Sequence, residues 1–331
     1  MSASCNLRLP RASRHENLAA VSTSIWFWIA FHIGVFVALA VDLVTFKHRG
    51  RELSMRAAAR RSVLWVLVSL GFNTLVWHFK GPQHGLDFLT GYLIEYSLSA
   101  DNIFVFVLIF AHFRVPPLAQ HRVLVWGIVG ALIMRGTMIL CGIALVQRFH
   151  FVLYLFGVFL LFTALRMLFG KHPPRDFGEG WVMRTCRRIF PITPEFHGEH
   201  FKVRIDGRWM LTPLALTMIV IEVTDLIFAA DSIPAIFAIT RDPFIVYTSN
   251  ICAILGLRSL YFLLAGLMKR FIYLRTGLAF VLGFVGIKMI LADHFHLPTG
   301  ISLVVIVVIL AVTITASMIV TRKRAAAINR K

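Results

Sequence analysis

The sequence predicts an all-α polytopic membrane protein with about nine transmembrane helices, six of them forming two inverted three-helix repeats. Three observations carry that expectation. Of the 331 residues, 58% are hydrophobic and only 15% charged, whereas a soluble domain carries about 25% charged residues. Apolar runs recur along the chain, most of them close to the about 20 residues that cross a bilayer as a helix. Basic residues collect on alternate connecting segments, which is the bias that orients membrane proteins.

The elements follow in order. Residues 1–24 are polar and read as an N-terminal tail. The run 25–46 is longer than the about 7–15 apolar residues of a signal-peptide core. It ends in "FKHRGR" with no small-residue cleavage site, so it reads as a retained helix. Further spans are expected at 62–79, 88–111, 123–147, 149–169, 210–238, 244–267, 276–293 and 300–321, with only "QRFH" separating the fourth from the fifth. Together 25–321 form the expected transmembrane domain. The segment 170–209 mixes both charge signs with Pro and Gly and reads as a cytoplasmic loop without assigned chemistry. Residues 322–331 form a basic cytoplasmic tail.

A net charge of +18 raises the question of a nucleic-acid partner. Placing the charges removes it. With the amino terminus outside, 24 of the 34 basic residues fall on inner segments and six on outer ones; Arg135, Arg166, Arg258 and Lys288 lie within spans. The charge therefore orients the chain in the lipid bilayer. A bacterial inner (cytoplasmic) membrane, an extracytoplasmic amino terminus and a cytoplasmic carboxyl terminus are expected. Cys5, Cys141, Cys186 and Cys252 show no paired spacing, so neither a disulfide framework nor a thiolate metal site is expected.

The sequence repeats itself. With Asp225 set under Glu95, "EYSLSADNI" aligns with "DLIFAADSI": Asp231 falls under Asp101 and Ser232 under Asn102. "ALIMR", ending at Arg135, then matches "ILGLR", ending at Arg258. "TALRML", with Arg166, matches "VGIKMI", with Lys288. Repeat one covers about 88–169 and repeat two about 210–293. Each unit has an odd number of helices, so the two copies face opposite ways, an arrangement that in transporters surrounds a midplane site.

Acids in such spans are costly, about 2.5–3.5 kcal/mol each on insertion scales, and are functional by default. Glu95, Asp101, Glu222, Asp225 and Asp231 carry five negative charges if ionised, and Arg135 and Arg258 can balance two as counter-ions. The remainder must take up protons or a bound cation. A divalent metal with one proton would balance it. On a helix at 100° per residue, no lipid-avoiding face holds Glu222, Asp225 and Asp231 together. Either protein surrounds that helix, or it is broken near the acids. Pro234, which frees the carbonyl of Ala230, favours a break. Carboxylates with Asn102 and Ser232 are hard oxygen donors suited to manganese, magnesium or calcium. No cofactor is expected beyond the transported ion. An intramembrane hydrolase is disfavoured, because neither an HExxH nor a GxGD pattern occurs. A non-transporting membrane factor is the alternative class.

The segments "EYSLSADNIFVF", "RVLVWGIVGALIMRG", "IEVTDLIFAADSIPAIFAITRDPFIVYTSNICAILGLRSLYF" and "FVGIKMI" resemble the TerC family of integral membrane proteins, including its Alx branch. The resemblance runs over about 25–320 and leaves the amino-terminal 20 or so residues outside; Cys252 stands where an aromatic residue is expected. The family is linked to tellurite resistance, and its Alx-type members are described as manganese exporters. The resemblance therefore implies a manganese site at Glu95, Asp101, Asn102, Glu222, Asp225, Asp231 and Ser232.

The charge asymmetry sets the first prediction. Reporter fusions after Lys331 and within 171–209 should both read cytoplasmic; an external signal from either overturns the assigned topology.

Overall fold

The computed structural model describes residues 25–47, 55–149, 151–170, 181–205, 207–267, 272–292 and 297–328. The expected tail at 1–24 and part of the 170–209 loop therefore lie outside the described residues, as do the ends of several connections. The chain forms two compact units, 1–45 and 46–331. In the first lies nearly all of helix α1, Ile25–Lys47, which is apolar and exposes Trp26, Ile33 and Phe36.

The second unit is built from long apolar helices: α2 (Met55–Lys80), α3 (Pro82–His112), α4 (Pro117–Arg148), α5 (Phe151–Phe169), α7 (Pro213–Phe237), α10 (Leu274–Ile290) and α11 (Thr299–Ile328). Two shorter helices, α8 (Pro243–Leu255) and α9 (Leu257–Leu267), follow one another with a 45° bend at Gly256. Among the described residues, seven helices, α1 among them, are long and apolar enough to cross a membrane, or eight where the bent α8–α9 pair counts as one span. The run expected at 276–293 falls on α10, whose 17 residues stand at the short end of the about 17–25 that span a bilayer.

Local chemistry explains where these helices begin. Pro82, Pro117, Pro213 and Pro243 each occupy the first helical turn, where the missing N–H removes no bond and φ is already helical. Thr212 caps α7 by accepting from the Ala215 N–H, and Asp242 caps α8 by accepting from Phe244 and Ile245. Hydroxyls inside the spans turn back on their own helices: Ser69, Thr90, Ser97, Thr217, Thr224 and Thr248 each donate to the carbonyl four residues earlier. That disposes of a polar group where water is scarce.

One expectation needs correction. Helix α7 is not broken at its acids but runs unbroken from Pro213 to Phe237. Pro234 stands three residues before the end, where losing one hydrogen bond shortens a helix rather than splitting it. The discontinuity falls at α8–α9 instead, directly before Arg258. Helix α7 packs against α3, α4, α5 and the loop helix Trp181–Ile189, while Leu226 and Ile227 on its remaining face stay exposed.

The loop between α5 and α7 carries structure of its own. Among the described residues it contains a helix, α6 (Trp181–Ile189), and an antiparallel hairpin, β1 (Lys202–Ile205) with β2 (Arg208–Leu211), in the register Lys202 opposite Leu211. Gly207, just before β2, takes φ +78°, a left-handed conformation that glycine adopts without steric cost. Met183 and Cys186 of α6 are buried with Leu216 of α7.

Helix α3 is the hub, touching α2, α7, α8, α9, α10 and α11. Helices α5 and α10 share the most extensive contact, α3 lies along α8, and α4 lies along α7. The α5–α10 crossing is backbone against backbone. A Cβ at Gly157 would stand 2.7 Å from Ile290 Cγ1 and 3.1 Å from the Gly286 carbonyl; one at Gly286 would stand 2.9 Å from the Gly157 carbonyl. Small residues permit this approach between membrane helices.

Gly286→Val should therefore destabilise the protein by about 1–3 kcal/mol through overpacking, read as a lower unfolding temperature of the purified protein. Gly71→Ala, on a helix with nothing within 4 Å of the new methyl, should be neutral or stabilising. Equal unfolding temperatures for the two variants would contradict the crossing.

Candidate functional site

The centre of the second unit holds three charged side chains. Arg135 of α4, Glu95 of α3 and Asp225 of α7 are 1%, 0% and 4% exposed. Arg135 donates through Nε to Asp225 Oδ2 at 3.0 Å and through Nη2 to Asp225 Oδ1 at 2.9 Å, a two-pronged grip. Its Nη1 donates to Glu95 Oε1. All three guanidinium nitrogens are thus engaged, and three helices are tied at one point. The planar fork of arginine suits this; lysine would present only a point charge.

The sequence supports each position. Glu95 and Asp225 are the acids that the internal alignment places at equivalent positions, and they meet at the same guanidinium. The cluster has two carboxylates and one cation, so its formal charge is negative. Glu95 Oε2 is buried and has no hydrogen-bond partner. A dry carboxylate oxygen of this kind is costly unless a proton or a cation completes it.

Glu222 lies near this cluster, half-buried, one turn before Asp225 on α7. Its carboxylate rests in a notch on α4: a Cβ at Gly130 would be 2.6 Å from both Glu222 oxygens, and one at Gly127 3.5 Å from Oε1. Glycines three apart leave bare backbone on one face of the helix. Sequence reading passed over this pair, although "GIVG" in a span is the signal. Asp231 is half-buried and accepts from Thr163 Oγ1 of α5 at 3.1 Å. Thr163 was not anticipated either, and a lone threonine in an apolar run carries no signal.

Asp101 is half-buried on α3, with Asn102 buried beside it. Ser232 is 1% exposed, and its hydroxyl has no hydrogen-bond partner. Arg258, expected as the second counter-ion, is 1% exposed and has Nη1 3.3 Å from Nε2 of His121 on α4. The structure thus joins Glu95, Asp225 and Arg135, whereas Asp231 meets Thr163 of α5 and Arg258 meets His121 of α4. Among the described residues, no group of three His, Cys, Asp or Glu side chains is placed to hold a metal ion.

Long apolar helices enclosing a charged centre define a multi-pass α-helical integral membrane protein. Comparison with known proteins takes this further. Residues 80–325 match the model of the integral membrane protein TerC family, and the chain belongs to that family. It is 48% identical over 295 residues to an uncharacterized membrane protein, STKORF319, of Myxococcus xanthus, covering 89% of this chain and 92% of that one. It is 46% identical over 306 residues to a protein of Salmonella typhi named putative membrane-bound redox modulator Alx, covering 90% and 95%. A protein of the same name from Escherichia coli K12 is 45% identical over 295 residues, covering 86% and 92%. No solved structure matches the chain.

Removing the shared cation tests the cluster. Arg135→Met leaves Glu95 and Asp225 facing each other in a dry interior, which should cost about 3–5 kcal/mol. The loss should appear as a lower unfolding temperature and lower membrane abundance. Adding Glu95→Gln and Asp225→Asn to the same chain should recover part of it. A single variant as stable as the parent would show that the triad does not hold these helices.

Proposed function

We propose that the protein exports a divalent metal cation, manganese first, across the bacterial inner membrane, and that it is not an enzyme. The carrying observation is the buried triad: one guanidinium shared by two carboxylates, one of whose oxygens has no partner. Asp101, Glu222 and Asp231 extend the excess of acid on the same two helices. A purely structural tie would be neutral, because surplus buried acid only adds cost. A transported cation gives the surplus a purpose.

On this reading Arg135 is a tethered cation. It neutralises Glu95 and Asp225 when the metal is elsewhere and yields them when the metal arrives. Asp101 and Asp231, each followed by a polar side chain, are direct ligands with Asn102 and Ser232. Glu222 joins them or carries an exchanged proton. The oxygen donors favour a hard ion. Arg258 is the second counter-ion, at the bend between α8 and α9. The amino terminus lies outside and the carboxyl terminus inside. The helix pairings support an inverted repeat: α3 with α8 and α4 with α7 exchange with one another, and α5 with α10 maps onto itself, when the two repeats are swapped.

A second reading comes from the printed name of the Salmonella and Escherichia relatives, redox modulator. In this chain Cys141, Cys186 and Cys252 are free thiols. Burial pushes the Cys186 thiol up, away from the reactive thiolate. The third reading is a factor in tellurite resistance or membrane-protein assembly that transports nothing.

Purified protein in vesicles separates the three. The parent should take up manganese, and Asp101→Asn and Asp231→Asn should each abolish uptake at equal abundance, since an amide keeps the shape but loses the charge. Uptake by either variant at the parental rate would make that carboxylate structural.

A further inference from the structure

Asn250 sits in the middle of α8 and is 0% exposed. Neither its Oδ1 nor its Nδ2 has a hydrogen-bond partner. Its neighbours behave differently: Thr248 donates to the Phe244 carbonyl at 2.7 Å and Ser249 to the Val246 carbonyl at 3.3 Å. A carboxamide offers two donors and two acceptor sites. Burying all of them unmet is costly, and no contact within the fold repays it.

Its neighbours also fix where it points. Tyr247 lies against α4, where a Cβ at Gly136 would be 3.3 Å from its Cε2. Ser249 lies against α3, where a Cβ at Gly91 would be 2.9 Å from its Oγ. At about 100° per residue, Asn250 falls in the sector between those two directions, the crevice between α3 and α4. Gly136 adjoins Arg135, and Gly91 is one turn from Glu95. The amide therefore enters the crevice that the Arg135–Glu95 pair spans. Two other groups on the Glu95 face of α3 are buried and unmet: Glu95 Oε2, and the hydroxyl of Ser99 one turn on. A carboxylate oxygen, a hydroxyl and an amide oxygen are all hard donors.

We propose that Asn250 is a further ligand of the transported divalent cation, its Oδ1 acting with Glu95 Oε2 and Ser99 Oγ at a position beside Arg135. The inference rests on the cation-transport reading. A neutral ligand suits this position because it replaces water oxygens without adding charge that Arg135 would have to balance. Neither charge counting nor the internal repeat points to it: Asn250 carries no charge, and Gly127 stands at its place in the first repeat.

The test uses purified full-length protein in vesicles, with manganese chloride as the probe and unfolding temperature as the control. Asn250→Leu fills the space without polar atoms, and Asn250→Asp keeps an oxygen in place. If Asn250 is a ligand, Asn250→Leu should raise the half-saturating manganese concentration at least about tenfold while its unfolding temperature holds or rises. Asn250→Asp should keep half-saturation nearer the parent and change its pH dependence. Should Asn250→Leu fail to fold, Asn250→Ala takes its place with the same expectation. If the folded apolar variant takes up manganese with the parent's half-saturation, Asn250 is no ligand while transport stands. A folded parent that takes up no divalent metal overturns the transport reading, and this inference with it.

Discussion

The structure depends on the guanidinium of Arg135 held between Glu95 and Asp225. These groups lie within three helices that share no sequence neighbourhood, and they meet where water is excluded. Any one of them alone would be an uncompensated buried charge, so each helix can take its place only with the other two. Hydrophobic burial gives little direction here, since lipid is as apolar as a leucine side chain. A polar tie between membrane helices fixes register and rotation in a way that apolar contact does not. The glycine notch on α4 extends the same logic, because Glu222 can approach that helix only where Cβ atoms are absent.

Much of the fold was legible in the sequence because the bilayer imposes simple demands. Length and hydropathy mark α1 to α5, α7 and α11, and the prolines at 82, 117, 213 and 243 mark four starts. What was not legible depends on position along a helix rather than composition. Pro234 suggests a break, yet near a helix end it costs one bond; Gly256, with no proline nearby, is where the chain bends. The β1–β2 hairpin is too short for an alternating pattern, and only the Asp-Gly dipeptide at 206–207 stands out in the sequence.

The candidate site divides along the same line. That Glu95, Asp225 and Arg135 belong to one buried system could be read from charge inside apolar runs. The internal alignment also put the two acids at equivalent positions. Which acid Arg135 would hold could not be read, because ion pairing between spans depends on helix rotation. His121 beside Arg258 and Thr163 beside Asp231 are contacts of this kind. Their residue types are unremarkable in sequence and gain meaning only from the facing helix.

The crossing of α5 and α10 at Gly157 and Gly286 bears on how the molecule can deform. Side chains between helices act as a compliant layer, since rotamers can shift to let one rod slide along another. Here the layer is absent and carbonyls face carbonyl-bearing backbone directly, so axial sliding would drive neighbouring side chains into the main chain. Nor is the contact a single point: it runs from Gly157 beside Ile290 to Ala164 beside Gly283, about two turns of each helix, so rocking would have to open it along that length. The pair thus behaves as one stiff strut, and any large rearrangement carries α5 and α10 together.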